Sequence, residues 1–172
     1  MDAFKAGDKI FYPNQGLGVV EDIQNENLYG EHIKIYHVRI FSNNTLILVP
    51  SASAKEIGIR KPIAEKAVDK IFDFMRKGEI NVSMNWKGRY KEHVNLMKSG
   101  SILDIALVLK SLFYLSLIKP LSFREKKMME KAMGLLVSEI SEVSSQPGDD
   151  IEDQLMENLN LCFSHITPRV ES

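Results

Sequence analysis

The chain has 172 residues, of which 44% are hydrophobic and 26% charged, an ordinary composition for a folded soluble protein. No apolar run reaches the roughly 18 residues needed to cross a bilayer, and the first residues lack the layout of a signal peptide. Cys162 is the only cysteine, which excludes an intrachain disulfide and fits a reducing cytosol. We therefore expect a cytoplasmic protein that does not enter a membrane.

The net charge of −1 is distributed unevenly along the chain. Residues 1–85 are neutral, whereas residues 86–131 carry ten basic and four acidic side chains. Residues 132–172 carry one basic and eight acidic side chains. The basic block is a candidate for phosphate contacts. The acidic end is expected to be a solvated tail, the alternative being that it folds back onto the basic helices.

Up to about residue 60 the pattern indicates short strands separated by turn residues. Strands are predicted over 8–12, 17–23, 33–40 and 45–49, and the third alternates apolar and mostly polar positions. Gly16 and Gly18 lie where a small barrel needs a tight turn or a bulge. Four or five short strands in this length predict a small, strongly bent antiparallel barrel over residues 1–61.

After Pro62 the hydrophobic period becomes helical. Pro62 suits the first position of a helix that Gly78 would end, and a second helix is expected from about Asn85 to Gly100. Ser101 is predicted to cap a third helix, which Pro120 ends, and a capping box at 122–125 opens a fourth that runs to about residue 143. The apolar face of the second helix is predicted from three residues: Tyr90, Val94 and Met97.

These elements predict an α+β protein in which a small antiparallel β-barrel is followed by a compact all-α domain. The helical domain is assigned to residues 62–145. Residues 146–172 are assigned to the acidic tail, which contains one short amphipathic helix with Ile151, Leu155 and Leu159 on its apolar face.

No motif in the sequence indicates catalysis. The Gly16-Leu17-Gly18 stretch lacks the third glycine of a dinucleotide fingerprint and the lysine of a nucleotide-triphosphate loop. Cys162 and His165 have the spacing of half a zinc site, but the other histidines are distant in sequence. No nucleophile-elbow context surrounds any serine. We therefore expect no enzyme activity, no cofactor and no metal.

The most informative segment is Asn85-Trp86-Lys87-Gly88-Arg89-Tyr90-Lys91, which holds the only tryptophan beside three cations. Tryptophan is usually largely buried, so a core anchor beside a solvated basic face is one interpretation. However, Trp86 lies in the first turn of the predicted helix and out of step with its apolar face. Helix starts also favour phosphate. An exposed indole among cations would suit an apolar wedge against a distorted minor groove.

Three stretches resemble the CarD-like family of bacterial transcription regulators that bind RNA polymerase. The first runs from Phe4 to Val19, and the second comprises Leu48-Val49-Pro50 with Gly58-Ile59-Arg60. The third is the Trp86 segment, continued by Ser99-Gly100, Leu121-Ser122 and Glu125-Lys126-Lys127-Met128. Together they span about residues 4–143, and residues 149–172 have no clear counterpart.

The resemblance implies that a Tudor-like barrel binds the β subunit of RNA polymerase and that the helical domain binds promoter DNA at the upstream fork of the transcription bubble. Trp86 would wedge into the minor groove and prolong the open complex with little sequence readout. The implied polymerase-binding residues are Ile33, Ile35, His37, Arg39, Leu46, Leu48 and Pro50. The implied DNA-binding residues are Trp86, Lys87, Arg89, Tyr90, Lys91, Arg124, Lys126 and Lys127.

This chain departs from the family at three positions. Gly88 occupies the place of a second arginine, which would remove one phosphate contact. Glu26 and Leu48 stand where some relatives have arginines in the polymerase-binding module. The expected protein is a monomer, associated with the nucleoid through RNA polymerase. An alternative function is a protein-only adaptor, because the helix over 102–118 is richer in apolar residues than a small bundle needs.

Overall fold

A computed structural model describes residues 4–77, 80, 82 and 84–166. The chain divides between Pro62 and Ile63 into two compact units, one residue after the predicted boundary. The first unit is a curled antiparallel sheet and the second is helical, so the predicted α+β class is confirmed. Among the described residues, no helix combines the length and the hydropathy that a bilayer crossing requires.

The first unit contains four antiparallel strands in sequential order: β1 (Lys9–Tyr12), β2 (Gly16–Leu28), β3 (Glu31–Ile40) and β4 (Leu46–Pro50). A 3-10 turn (Ser51–Ser53) and the short helix α1 (Ala54–Ile57) follow. Arg60 then exchanges two backbone hydrogen bonds with Phe11 of β1, at 2.7 and 3.2 Å. The sheet therefore curls into a half-barrel around a core of Ile10, Val20, Tyr36, Val38, Ile40, Val49, Ala54 and Ile59.

Two positions of β2 require glycine, each for a different structural reason. Gly16 closes the β1–β2 turn with a φ of 93°, a conformation that favours glycine. Gly18 lies against β3, where an added Cβ would be 2.5 Å from the carbonyl oxygen of Arg39. Of the tight turn or bulge predicted at these glycines, the structure has the turn, at Gly16, and a register shift follows between Val20 and Asp22.

Strands β2 and β3 extend beyond their predicted ends as an exposed two-stranded arm. The register pairs residues 24–28 with residues 31–35, and Tyr29 and Gly30 turn the chain with φ values of 54° and 81°. Two consecutive positive φ values are typical of a tight hairpin turn. The sequence did not predict this extension because residues 24–27 are all polar and show no alternation, so their pairing depends on backbone hydrogen bonds.

The second unit contains α2 (Val68–Arg76), α3 (Trp86–Lys98), α4 (Ile102–Ile118), α5 (Phe123–Ser144) and α6 (Gly148–Cys162). Helix α4 packs against α2, α3 and α5, and it is buried because it is apolar around most of its circumference. Pro62 does not begin a helix: a 3-10 turn (Glu65–Ala67) precedes α2. Gly78, its predicted stop, lies outside the described residues.

The prediction that residues 146–172 form a solvated acidic tail is wrong as far as residue 166, because α6 is part of the helical unit. Ile151, Leu155 and Leu159 form one stripe of α6 and are completely buried against α2 and α5. The acidic side chains Asp149, Asp150, Glu152, Asp153 and Glu157 remain on the exposed side. The acidic charge of this segment had favoured a solvated tail, but the apolar stripe determines where the helix packs. Residues 167–172 lie outside the described part.

Lys110 belongs to the basic block of the sequence but not to the basic surface. It lies in the middle of α4, fully buried, and its Nζ donates hydrogen bonds of 2.6 Å to the carbonyl oxygens of Phe74 and Lys77. Burial lowers the pKa of this amine below its usual value. Lys110 thus satisfies carbonyl groups at the end of α2, where helical partners are missing.

Candidate nucleic-acid interface

Trp86 is the first residue of α3 and is held in place by two contacts. Its ring stacks on that of Tyr90, one turn later, with centroids 5.3 Å apart and planes at 12°. Its Nε1 donates a hydrogen bond of 3.3 Å to the hydroxyl oxygen of Ser122. The side chain nevertheless retains 36% exposure. Trp86 is therefore an ordered surface aromatic rather than a core anchor.

Ser122 links the indole to the start of α5. Its hydroxyl oxygen also accepts the backbone N–H of Glu125 at 3.1 Å, so Ser122 is the N-cap that the sequence predicted. In a complete capping box the Glu125 carboxylate would accept the backbone N–H of Ser122. Here that carboxylate turns towards α3 and accepts hydrogen bonds from Arg89 instead. One hydroxyl group thus fixes both the α5 start and the indole orientation.

The structure contradicts the prediction that Arg89 contacts the DNA backbone. Arg89 is 1% exposed, and its guanidinium forms a bidentate ion pair with Glu125. The Nε–Oε2 and Nη2–Oε1 distances are 2.8 and 3.0 Å. Although burial alone would raise the pKa of Glu125, the hydrogen bonds and charge of Arg89 lower it overall. Arg89 therefore joins α3 to α5 and is not available to phosphate.

The buried stripe of α3 differs from the predicted apolar stripe. Arg89, His93 and Met97 are buried, while Tyr90 and Val94 are only partly covered. Burial lowers the pKa of His93, despite the opposing charges of Glu92 and Glu125. A charged side chain can occupy a core stripe when it is paired, as Arg89 is with Glu125. The Nδ1 of His93 is buried without a hydrogen-bond partner among the described residues, which favours the neutral ring. Apolar spacing alone identified only Met97 of this stripe.

The remaining cations of the predicted DNA-binding set are exposed, and one of them lies beside the aromatic pair. Arg124 places its guanidinium carbon 6.0 Å from the centroid of the Tyr90 ring on which Trp86 stacks. The exposed cations of the set are Lys87, Lys91, Arg124, Lys126 and Lys127. The aromatic pair thus has one guanidinium beside it, and the other exposed cations follow along α3 and α5, where they could contact phosphate.

Sequence reasoning missed three residues that form or support this surface. Ser122 was identified as a cap but not as the partner of the indole, and Glu125 was not identified as the partner of Arg89. Phe123, the first residue of α5, is 73% exposed. The sequence signal that identified Trp86, an aromatic residue among cations at a helix start, is also present in Phe123-Arg124-Glu125-Lys126-Lys127 and would have found it.

In the first unit, the register brings most of the predicted polymerase-binding residues together. Arg39 pairs with Leu46, His37 with Leu48 and Ile35 with Pro50 across β3 and β4. Directly paired residues of an antiparallel sheet share a face. Leu46 and Leu48 are 40% and 54% exposed, and β4 has no second neighbouring strand among the described residues.

Four members of that set are less accessible than predicted. Ile35 is 7% exposed, so its side chain cannot form much of a contact surface. Arg39 donates two hydrogen bonds to Glu21, of 2.9 and 3.2 Å, which lower the pKa of that carboxyl group. Ile33 faces Glu26 on the arm rather than a residue of β4, and His37 is only partly exposed. The accessible apolar side chains of the set therefore belong to β4.

Over the part of the chain that the structure describes, no cluster of three or more His, Cys, Asp or Glu side chains could hold a metal ion.

Comparison with known proteins identifies both units. The model of the CarD-like/TRCF RID domain matches residues 4–63, and the model of the CarD C-terminal domain matches residues 70–156. The second match reaches into α6, where the sequence had indicated no family counterpart. The chain belongs to the CarD-like family. At the level that this family fixes, it is a transcription factor that interacts with RNA polymerase.

Individual proteins are also similar to this chain. YdeB of Bacillus subtilis strain 168, named as a candidate transcription factor, is 31% identical over 137 residues, which cover 80% of this chain and 90% of YdeB. CdnLNt from Myxococcus xanthus is 34% identical, with 36% of this chain and 86% of that structure covered, at a TM-score of 0.30.

Proposed function

We propose that this CarD-like protein binds the β subunit of RNA polymerase through its first unit and stabilises the open promoter complex through its second. Trp86 would enter the minor groove at the upstream edge of the bubble, with little sequence readout. Such a protein acts in the cytoplasm, associated with the nucleoid through polymerase. The observation that carries the proposal is the ordered, partly exposed indole among surface cations.

The two contacts of Trp86 suit it to act as a wedge. Inserting an apolar side chain between base steps costs a few kcal/mol in lost stacking. A ring already ordered by Tyr90 and Ser122 loses little further conformational freedom on insertion. Phosphate contacts from Lys87 and Lys91 would offset part of the unstacking cost. None of these contacts reads a base edge, which fits binding with little sequence preference.

The edge of β4 is the surface proposed for polymerase. A strand with one unpaired edge can add to a sheet of another protein, with main-chain hydrogen bonds supplying affinity and alternate side chains supplying specificity. Leu46 and Leu48 are exposed apolar side chains on this strand. Their burial against the β subunit would favour the complex by about 25 cal/mol per Å² of apolar area removed from water.

Binding to purified core polymerase tests the first half of this proposal. Leu48→Glu is expected to weaken the complex at least tenfold, because it places a charge in the proposed apolar contact. Leu28→Glu is the matched control, since Leu28 is a similarly exposed leucine (43%) on the β2–β3 arm. Equal losses for the two variants, or no loss for Leu48→Glu, would show that β4 is not the contact.

One observation favours the alternative of a protein-only adaptor. Most of the apolar face of α4 is covered, with Phe113 and Tyr114 lying 6.0 and 5.4 Å from the ring of Phe163. A groove of about 530 Å³ nevertheless remains between α4, α5 and α6. Its charged lining residues are Glu130 and Glu152, so the fitting partner is an amphipathic helix with basic flanks. The apolar lining includes Leu109, Phe113, Met129, Met133, Val137 and Met156.

Gly134 gives a direct test of that alternative. It lines the groove, and a Cβ added there would meet no atom within 4 Å. Gly134→Trp should block a helical peptide of leucine and lysine, whereas Gly134→Ala should not. The adaptor is supported if this difference is found and if the protein does not bind forked DNA with or without polymerase. If the protein binds DNA and Gly134→Trp leaves that binding unchanged, the result argues against the adaptor.

A further inference from the structure

Phe123 is a second large aromatic side chain on the basic surface. It is the first residue of α5, directly after the Ser122 hydroxyl group that holds the Trp86 indole. Its exposure of 73% is twice that of Trp86. Lys127, one turn along α5, places its Nζ 5.4 Å from the centroid of the Phe123 ring. A cation therefore lies over one face of the ring, and most of the remaining ring surface is exposed.

The helical geometry of α5 places Phe123 next to the site of Trp86. Successive residues of an α-helix are rotated by about 100°, so Lys126, Phe123 and Lys127 share one sector of roughly that width, and Arg124 borders it. Arg124 in turn lies over Tyr90, which stacks on Trp86. The surface thus continues from the Trp86–Tyr90 pair, across one guanidinium, to the Phe123 ring and its flanking lysines.

We propose that Phe123 is a binding site for an unpaired nucleobase of the melted promoter strand. This inference rests on the proposed function and assigns the second ring a different task from the first. Trp86 is fixed by two contacts and suits a paired step at the edge of the duplex. Phe123 offers a free face with neighbouring cations, the combination that binds single strands by base stacking and backbone contact. Lys126 and Lys127, the charged residues of its sector within one turn, are basic, which favours nucleic acid over an apolar protein surface. Glu130, two turns along, has a carboxylate oxygen 3.9 Å from the Nζ of Lys127, in an exposed pair that holds the lysine only weakly.

The test is fluorescence anisotropy of the full chain with two DNAs at low salt: a complete duplex, and a fork of the same length with unpaired bases on one strand. Phe123→Leu keeps an apolar side chain but removes the stacking face. We expect it to weaken binding to the fork about tenfold and to leave binding to the duplex unchanged. Phe41→Leu is the control, because Phe41 is an exposed phenylalanine (51%) of the first unit.

The outcomes separate this proposal from the function on which it rests. If Phe123→Leu binds the fork as tightly as the wild type, or loses affinity equally for both DNAs, the base-stacking role is refuted. If Trp86→Ala weakens binding to both DNAs while Phe123→Leu weakens neither, only the role of Phe123 fails. If the wild type does not prefer the fork and Trp86→Ala changes nothing, the proposed DNA function fails as well.

Discussion

The ion pair between Arg89 and Glu125 predicts a large and specific effect on stability. Both side chains are almost completely buried, and two hydrogen bonds of 2.8 and 3.0 Å join them. Arg89→Met would leave the Glu125 carboxylate buried without its cation. Loss of one partner of a buried pair costs about 3–5 kcal/mol, a large share of the roughly 5–15 kcal/mol that stabilises a typical domain. The double variant Arg89→Met/Glu125→Met removes both charges and should recover most of that loss.

Urea unfolding followed by tryptophan fluorescence measures this effect in the correct unit, because Trp86 is the only tryptophan and lies in the helical unit. At an m-value of about 2 kcal/mol/M, the single variant should lower the unfolding midpoint by roughly 2 M. The coupling should be present at neutral pH. It should decline in acid, because a carboxyl group with a lowered pKa in the folded state stabilises above its unfolded pKa and loses that contribution as pH falls through the folded value.

DNA binding by the same variants distinguishes a structural from a phosphate-binding arginine. The double variant should keep the wild-type slope of log affinity against log salt. Lys91→Gln should reduce that slope by about 1, because it removes a proposed phosphate contact. A double variant that is as unstable as the single one, or that loses one phosphate contact while remaining folded, would refute the assignment of Arg89 to the core.

Three further predictions concern single residues. Gly88→Ala should stabilise α3 by about 0.5–1 kcal/mol, because its Cβ would meet only the Asn85 amide, 3.8 Å away; a loss of stability in urea unfolding would contradict this. His93 has a lowered pKa in the folded state, so the unfolded chain takes up its proton first, and stability should fall as pH drops below about 6.5. His93→Met should remove that dependence between pH 8 and 5.5, and an unchanged pH profile would exclude His93 as its source. Gly18→Ala should destabilise the first unit by about 1–3 kcal/mol, since its Cβ would lie 2.5 Å from a carbonyl oxygen; thermal unfolding followed by circular dichroism that remains like the wild type would refute this.

Much of the fold could be predicted because local patterns and tertiary packing agree there. Strand β3 alternates in hydrophobicity, and α4 is bounded by Ser101 and Pro120, so both lie close to their predicted ranges. Prediction failed where two patterns compete. The acidic charge of α6 led to the prediction of a tail, although the segment also has an apolar stripe. In the structure, burial of Ile151, Leu155 and Leu159 places α6 in the helical unit. The β2–β3 arm has no side-chain pattern from which it could be predicted.

The candidate site was only partly predictable, because a sequence shows which side chains are charged but not which of them are paired. Arg89 and Lys91 are two residues apart, so they point to different sides of α3. One meets Glu125 from a helix 36 residues later, and the other remains in solvent. That difference depends on how α5 packs against α3. The indole partner Ser122 is equally distant in sequence.

The lifetime of the open promoter complex most directly tests the proposed wedge. Footprinting or stopped-flow fluorescence with polymerase, promoter and the full chain should show a longer lifetime with the wild-type protein. With Trp86→Ala the lifetime should be about tenfold shorter than with the wild-type protein, which is the expected cost of one lost aromatic contact with a base. Polymerase binding should be unchanged. If Trp86→Ala prolongs the complex as much as the wild type does, the indole is not a wedge.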